Sequence, residues 1–337
     1  MHIIRWVLAS LLFGISALAQ DAAMAVVEKK TGHVAFYSSE GKRLSEVKVG
    51  VNPHEMAFSP DRRLLYVSDN GVEWMTSTGK GFNTISIIDV AARKKVGVID
   101  LGKYYRPHGI QVIPKTGQLI VTIENPDGLT ETTAETGGIL LLVDPVAKKV
   151  LRTYDTKGAH PHMVMLGPNA ETAWASNANT GDLAIVNLTS GKVEKVIPTG
   201  KNPQGAVMTK DGKWIFLTNT ASNTISVIDA AKREIVGEFK TGNGPARIFL
   251  TPDEKTLVYN LLTEEGVAFA DVQTRKQMAA IKLPGQPLSI SKSPDGRIAY
   301  LGIQDSDKIT VVSVPDRKII RIIETPKGAG PDTVAPL

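Results

Sequence analysis

The 337-residue chain is 42% hydrophobic and 22% charged, a balance that suits a packed globular core and excludes a multispanning membrane protein. It has no cysteine, which excludes disulfides, thiolate metal sites, covalent haem c attachment and a cysteine nucleophile. The formal net charge is +5, and no Gly-rich phosphate loop, HExxH or GxSxG motif occurs, so nothing points to a bound nucleotide.

The first element is a leader. Arg5 supplies a positive start, "WVLASLLFGIS" is a short apolar run, and "ALA" at 17–19 offers small residues for cleavage. Residues 1–19 therefore predict a signal peptide, leaving residues 20–337 as one domain. The expected location is periplasmic or secreted, with no membrane attachment after cleavage.

From residue 23 the chain alternates apolar and polar residues in short runs broken by Pro/Asp/Gly and Lys/Gly turns, the pattern of β-strands. "AMAVVEKKTGHVAFYSSEGKRLSEVKVG" at 23–50 predicts three strands. Units of four strands then open at Pro53, Pro107, Pro161, Pro203, Pro245 and Pro287, with a last proline at Pro331. The sequences agree in step: "NTISIIDVAARKKVGVIDLG" at 83–102 returns as "NTISVIDAAKREIVGEFKTG" at 223–242, and "SPDRRLLYVSD" as "SPDGRIAYLG". Four short strands in about 42 residues, repeated, predict propeller blades. "GPDTVAPL" at the C-terminus supplies the inner strand that 23–50 lacks, so pairing the two ends closes an all-β ring of seven blades without a free sheet edge.

The pattern "PHxxxxSPDxxxxYVSDNxxxxISIID" resembles the YVTN-type β-propeller repeat family over nearly the whole mature chain. That resemblance implies a seven-bladed extracytoplasmic propeller. It does not choose among surface-layer modules, binding proteins and metalloenzymes, because function resides in sites carried by the fold.

Propeller geometry places the turn before each inner strand and the loop between second and third strands on one face, called the top. Two units are longer than the rest in that loop, by "GVEWMTSTGKGF" at 71–82 and "NPDGLTETTAETG" at 125–137. Long loops on a rigid scaffold tend to carry function. His54, His108 and His162 each follow the opening proline in three consecutive units, and His160 adds a fourth imidazole. Three converging imidazoles predict one divalent transition metal (copper, zinc, iron or manganese), with Glu124 or Asp69 as acid/base. The same histidines also suit turn-forming hydrogen bonds.

Asn70, Asn177 and Asn219 at second-strand ends predict polar ligand contacts, as at a sugar site. Trp74 is a candidate stacking platform and Arg247 a candidate for an anionic group. The expected partner is a small molecule or glycan at the mouth of the first three blades. A metal-dependent oxidoreductase, lyase or hydrolase and a protein-interaction platform stand as alternatives. The bases in "ARKK", "AKK", "AKRE", "TRKQ" and "DRK" fall on the opposite face as a solvated rim, and nucleic acid is not expected to bind. Oligomeric state is not encoded in any of these features.

Overall fold

A computed structural model describes residues 21–128 and 137–337. The leader at 1–19 and most of the second long loop lie outside the described residues. No helix among the described residues is long and apolar enough to cross a membrane.

The described residues form seven antiparallel sheets of four strands each. Blade 1 opens with Pro53–Phe58, blade 2 with Tyr105–Val112, blade 3 with Pro161–Leu166, blade 4 with Pro203–Met208 and blade 5 with Pro245–Leu250. Blade 6 has the shortest inner strand, Ser291–Lys292, with Pro287 bridged separately to Ile303. Blade 7 joins the chain ends: Pro331–Pro336 pairs antiparallel with Met24–Glu28, in the register Met24 to Pro336 and Glu28 to Pro331. The expected closure is therefore the observed one.

Seven apolar clusters fill the seven interfaces between blades. Ile85, Ile87 and Ile99 of blade 1 pack with Leu119, Val121 and Leu141 of blade 2, while Met24, Val26 and Tyr37 of blade 7 pack with Ile309, Val311 and Ile323 of blade 6. Each fully buried aliphatic side chain stabilises the ring by about 1.5–3 kcal/mol. No blade could bury its faces alone, so the ring stands or falls as a closed set.

A repeated irregularity prepares the channel. In blades 1, 2, 4 and 5 two inner-strand residues oppose one on the second strand, as between Pro53 and Met56 or Pro107 and Ile110. A bulge of this kind frees backbone groups and re-aims side chains. Second-strand side chains satisfy the freed groups: Ser68 Oγ accepts from Glu55 N at 3.0 Å, and Thr122 Oγ1 accepts from Gly109 N at 2.7 Å. Thr122 also donates to the carbonyl of His162 in the next blade at 3.1 Å. Gly109 permits this approach, since a Cβ there would stand 2.9 Å from that same carbonyl oxygen.

On the opposite face Lys94, Lys95, Lys149, Lys232 and Lys318 are exposed, as a solvated rim requires, but one basic residue in each of five turns also touches the neighbouring blade. Arg93, Lys148, Arg233, Arg275 and Arg317 all occupy left-handed backbone conformations at equivalent turns, where blades 7 and 3 have Gly41 and Gly191. Their side chains lie against the preceding blade. Arg233 pairs with Glu194 at 2.6 Å, and the Arg317 guanidinium sits 5.9 Å from the Phe269 ring centroid. These cations clamp neighbouring blades together.

Candidate metal centre at the channel mouth

The residues after the opening prolines read His54, His108, His162, Gln204, Ala246, Leu288 and Asp332 from blade 1 to blade 7, and His54, His162, Gln204 and Leu288 line a cavity at the mouth. The three histidines form a tilted stack, with ring centroids 4.1 Å apart for His54 and His108 and 4.0 Å for His108 and His162. His160 lies 6.2 Å from His162. Carboxylates bound the stack on two sides. Glu124 Oε1 is 3.1 Å from both His162 Nδ1 and His160 Nε2, and Asp332 Oδ2 is 3.2 Å from His54 Nδ1.

Several of these polar atoms are poorly satisfied. Both ring nitrogens of His108 are buried without a hydrogen bond. His54 Nδ1, His160 Nε2 and both Asp332 oxygens also lack a well-directed one, although the two histidine nitrogens lie within reach of a carboxylate. Such groups cost stability when buried, by roughly 1–3 kcal/mol each, unless another group satisfies them.

The three imidazoles do not converge on one point. Among the described residues, donor atoms within 4.8 Å of one another fall into two sets, His108–Glu124–His162 and His54–Glu55–His108, and His108 belongs to both. In the first set the 3.1 Å separation of His162 Nδ1 and Glu124 Oε1 matches neighbouring ligands on an ion with bonds of about 2.0–2.2 Å.

Burial keeps these imidazoles neutral. It drives His54 and His108 well below the usual range, with nearby Lys29 and Arg247 adding to the effect at His54 and neighbouring imidazoles at His108. His162 falls to about 4, burial outweighing its bond to Glu124. For Glu124 burial acts upward, but His160, His108 and the imidazole bonds win and hold it well below the carboxylate range. A neutral imidazole beside an ionised carboxylate is the protonation state that metal binding requires.

Other predicted residues divide. Asn70 joins the cluster by donating to Glu124 Oε2 and the Pro107 carbonyl, both at 3.3 Å. Asp69 is committed elsewhere: its carboxylate accepts from Gly50 N, Thr84 Oγ1 and Ser86 Oγ, within 2.9 Å in each case. Asn177 donates to Asp182 at 2.6 Å, and Asn219 to Thr224 and Ser226, so both amides tie their own strand pairs. Arg247 spans the channel to Glu55, with Nη2 2.8 Å from Oε1, and Nη1 reaches Gln204 Oε1 at 3.2 Å.

The first long loop roofs the mouth. Arg106, fully buried, donates to the carbonyls of Ser77 and Gly79 at 2.6 and 2.7 Å. Gly81 is required beside it, because its φ is +80° and a Cβ would meet Arg106 Cγ at 2.4 Å. Glu73 crosses to Lys30 at 3.4 Å and accepts from Gln304 at 3.3 Å. Beneath the loop is a cavity of about 230 Å³ lined by His54, His162, Lys29, Arg247, Trp74 and Leu288 among others. A second cavity of about 210 Å³ lies along the inner strands, and Glu55, the other partner of the Arg247 pair, lines it. Gln204 and Arg247 line both cavities, so the Glu55–Arg247 pair divides the channel.

Sequence reasoning missed Lys29, Glu55, Arg106 and Asp332. Asp332 was reachable, since it follows Pro331 as the histidines follow their prolines.

A model of the YNCE-like β-propeller matches residues 146–336, more than half of the chain. The chain belongs to the YNCE-like β-propeller family. No curated protein matches its sequence. Among solved structures, this YNCE-like propeller is similar to the periplasmic gluconolactonase PpgL of Pseudomonas aeruginosa, at TM-score 0.74 and 15% identity, covering 94% of this chain and 99% of that one. It is also similar to the dihydro-heme d1 dehydrogenase NirN in complex with DHE (TM-score 0.68, 16% identity, 95% of this chain and 76% of that one). A third likeness is to Kuenenia stuttgartiensis hydrazine synthase (TM-score 0.68, 18% identity, 89% and 98%). At these identities the likeness is one of fold.

Proposed function

We propose that the channel mouth is a metal centre that binds a divalent transition ion through His108, His162 and Glu124 and presents it to a small polar molecule in the cavity under Trp74. One observation carries this reading: three donors from two adjacent blades lie within 4.8 Å of one another, all buried, and one of them, His108, has no hydrogen-bond partner at either nitrogen. Two imidazoles and a carboxylate suit zinc, iron, manganese or copper and leave coordination positions open. Asn70 holds Glu124 from behind, as outer residues commonly do for ligating carboxylates. When bound, the ion would supply Lewis acidity toward an oxygen of the polar molecule. The leader-like residues 1–19 support an exported protein.

Elemental analysis of protein purified without chelator tests the reading. About one or more ions per chain is expected, with His162→Ala and Glu124→Gln lowering the content sharply while the β-sheet circular dichroism signal persists. A metal-free native protein that still binds a small polar ligand would favour the second reading, a metal-independent binding cavity, for which the 230 Å³ space under Trp74 is the supporting observation.

A further inference from the structure

We propose that the mouth is built for two ions, with His108 as the bridge between them. This rests on the metal reading above and extends it to the second donor set, His54–Glu55–His108. His108 is the shared member, and its two ring nitrogens are both buried and both without a hydrogen bond. A structural imidazole normally uses at least one nitrogen in a hydrogen bond. A ligand to one ion uses one nitrogen and commonly donates the other N–H to an outer partner. His108 does neither, while its flanking rings stand on opposite sides at 4.1 and 4.0 Å.

Each flanking histidine has a carboxylate at its Nδ1, Glu124 being itself a donor of the first set and Asp332 lying outside the second. His162 Nδ1 is 3.1 Å from Glu124, and His54 Nδ1 is 3.2 Å from Asp332. Glu55 retains capacity for an ion: Arg247 takes Oε1 through two donors, Thr333 donates to Oε2 at 3.3 Å, and a carboxylate offers about four acceptor sites. Three carboxylates, Glu55, Glu124 and Asp332, supply negative charge within the cluster against Lys29, Arg247 and Arg106. Binding of the second ion breaks the remaining N–H bond of His108. The proton leaves to solvent, and each nitrogen of the resulting imidazolate forms one bond to metal. No electron is transferred.

The test uses the metal-stripped full chain and Cu²⁺, whose unpaired spin reports a bridge. Two Cu²⁺ per chain are expected by equilibrium dialysis. The integrated electron paramagnetic resonance signal should reach one spin at the first equivalent and then fall to less than half of that at the second, because an imidazolate couples the two spins. His54→Gln should bind one ion with a full one-spin signal. If that variant fails to fold by circular dichroism, Glu55→Gln takes its place with the same expectation. One ion in the native protein, lost in His162→Ala and unchanged in His54→Gln, overturns the two-ion centre and leaves the metal reading standing. Two ions with a full two-spin signal overturn the bridge. No bound Cu²⁺ at all overturns both.

Discussion

The guanidinium of Arg247 in blade 5 reaches the carboxylate of Glu55 in blade 1 across the channel, with Nη2 2.8 Å from Oε1 and both side chains almost wholly buried. Removing one member of such a pair leaves an uncompensated charge. Arg247→Met should destabilise the protein by about 3–5 kcal/mol, whereas the double variant Arg247→Met with Glu55→Leu should recover most of the loss. Urea unfolding of both single variants and of the double variant checks this, and a double-variant loss equal to the sum of the two single losses would show that the pair is not coupled.

Ring closure depends on a second buried ion pair. Lys29 Nζ lies 3.4 Å from Asp332 Oδ2 with both groups buried, and Pro331–Pro336 supplies the inner strand of blade 7. Asp332→Asn should cost about 3–5 kcal/mol by stranding Lys29. Deleting 331–337 should lower the melting temperature further, because the Met24–Glu28 edge then has no partner. A melting curve that the deletion leaves unchanged would contradict closure through this strand.

The metal-free protein should weaken in acid. His162 titrates near 4 when folded and near the ordinary 6.5 when unfolded, so the unfolded state binds the extra proton between those values. Stability from this group is full above pH 6.5, falls as the pH drops, and is gone below about 4, a loss of roughly 3 kcal/mol. Glu124, held below its usual range, extends the loss further into acid. Urea midpoints from pH 7 to 4 should show a shallower decline in His162→Gln than in the native chain.

The roof is separable from the scaffold. Replacing 71–82 by a short turn like that at 220–222 should change stability by only about 1 kcal/mol, since loop length contributes weakly and Arg106 would then face water. Zn²⁺ transfer to EDTA should accelerate at least tenfold. Unchanged transfer would mean that the loop does not cover the ion.

The fold was legible because its signal is a register: prolines at a near-constant interval, and a seventh unit whose missing strand stands at the other end of the chain. The same register marked His54, His108 and His162 as neighbours. It did not show that they split into two donor sets, because ring orientation depends on the bulges, where two residues oppose one and simple alternation fails. That failure also hid Glu55, which alternation alone would place on the opposite side from His54. Asp69 and Asn70 are adjacent, yet only Asn70 meets the cluster. Successive strand residues face opposite ways, and Asp69 turns toward the hydroxyls of the third strand.

The seven positions after the opening prolines amount to a ring of letters, HHHQALD, each set on its own blade and each held by backbone bonds that do not depend on the letter. Positions whose side chains form no buried ion pair, such as Gln204 and Leu288, can therefore be changed singly without refolding the protein, whereas Asp332 is tied to Lys29. A histidine at Gln204 would lengthen the imidazole arc into blade 4, and one at Leu288 would start a new arc across the channel. Where a zinc finger sets its donors by local spacing, this architecture sets the spacing of its mouth residues by the angle between blades.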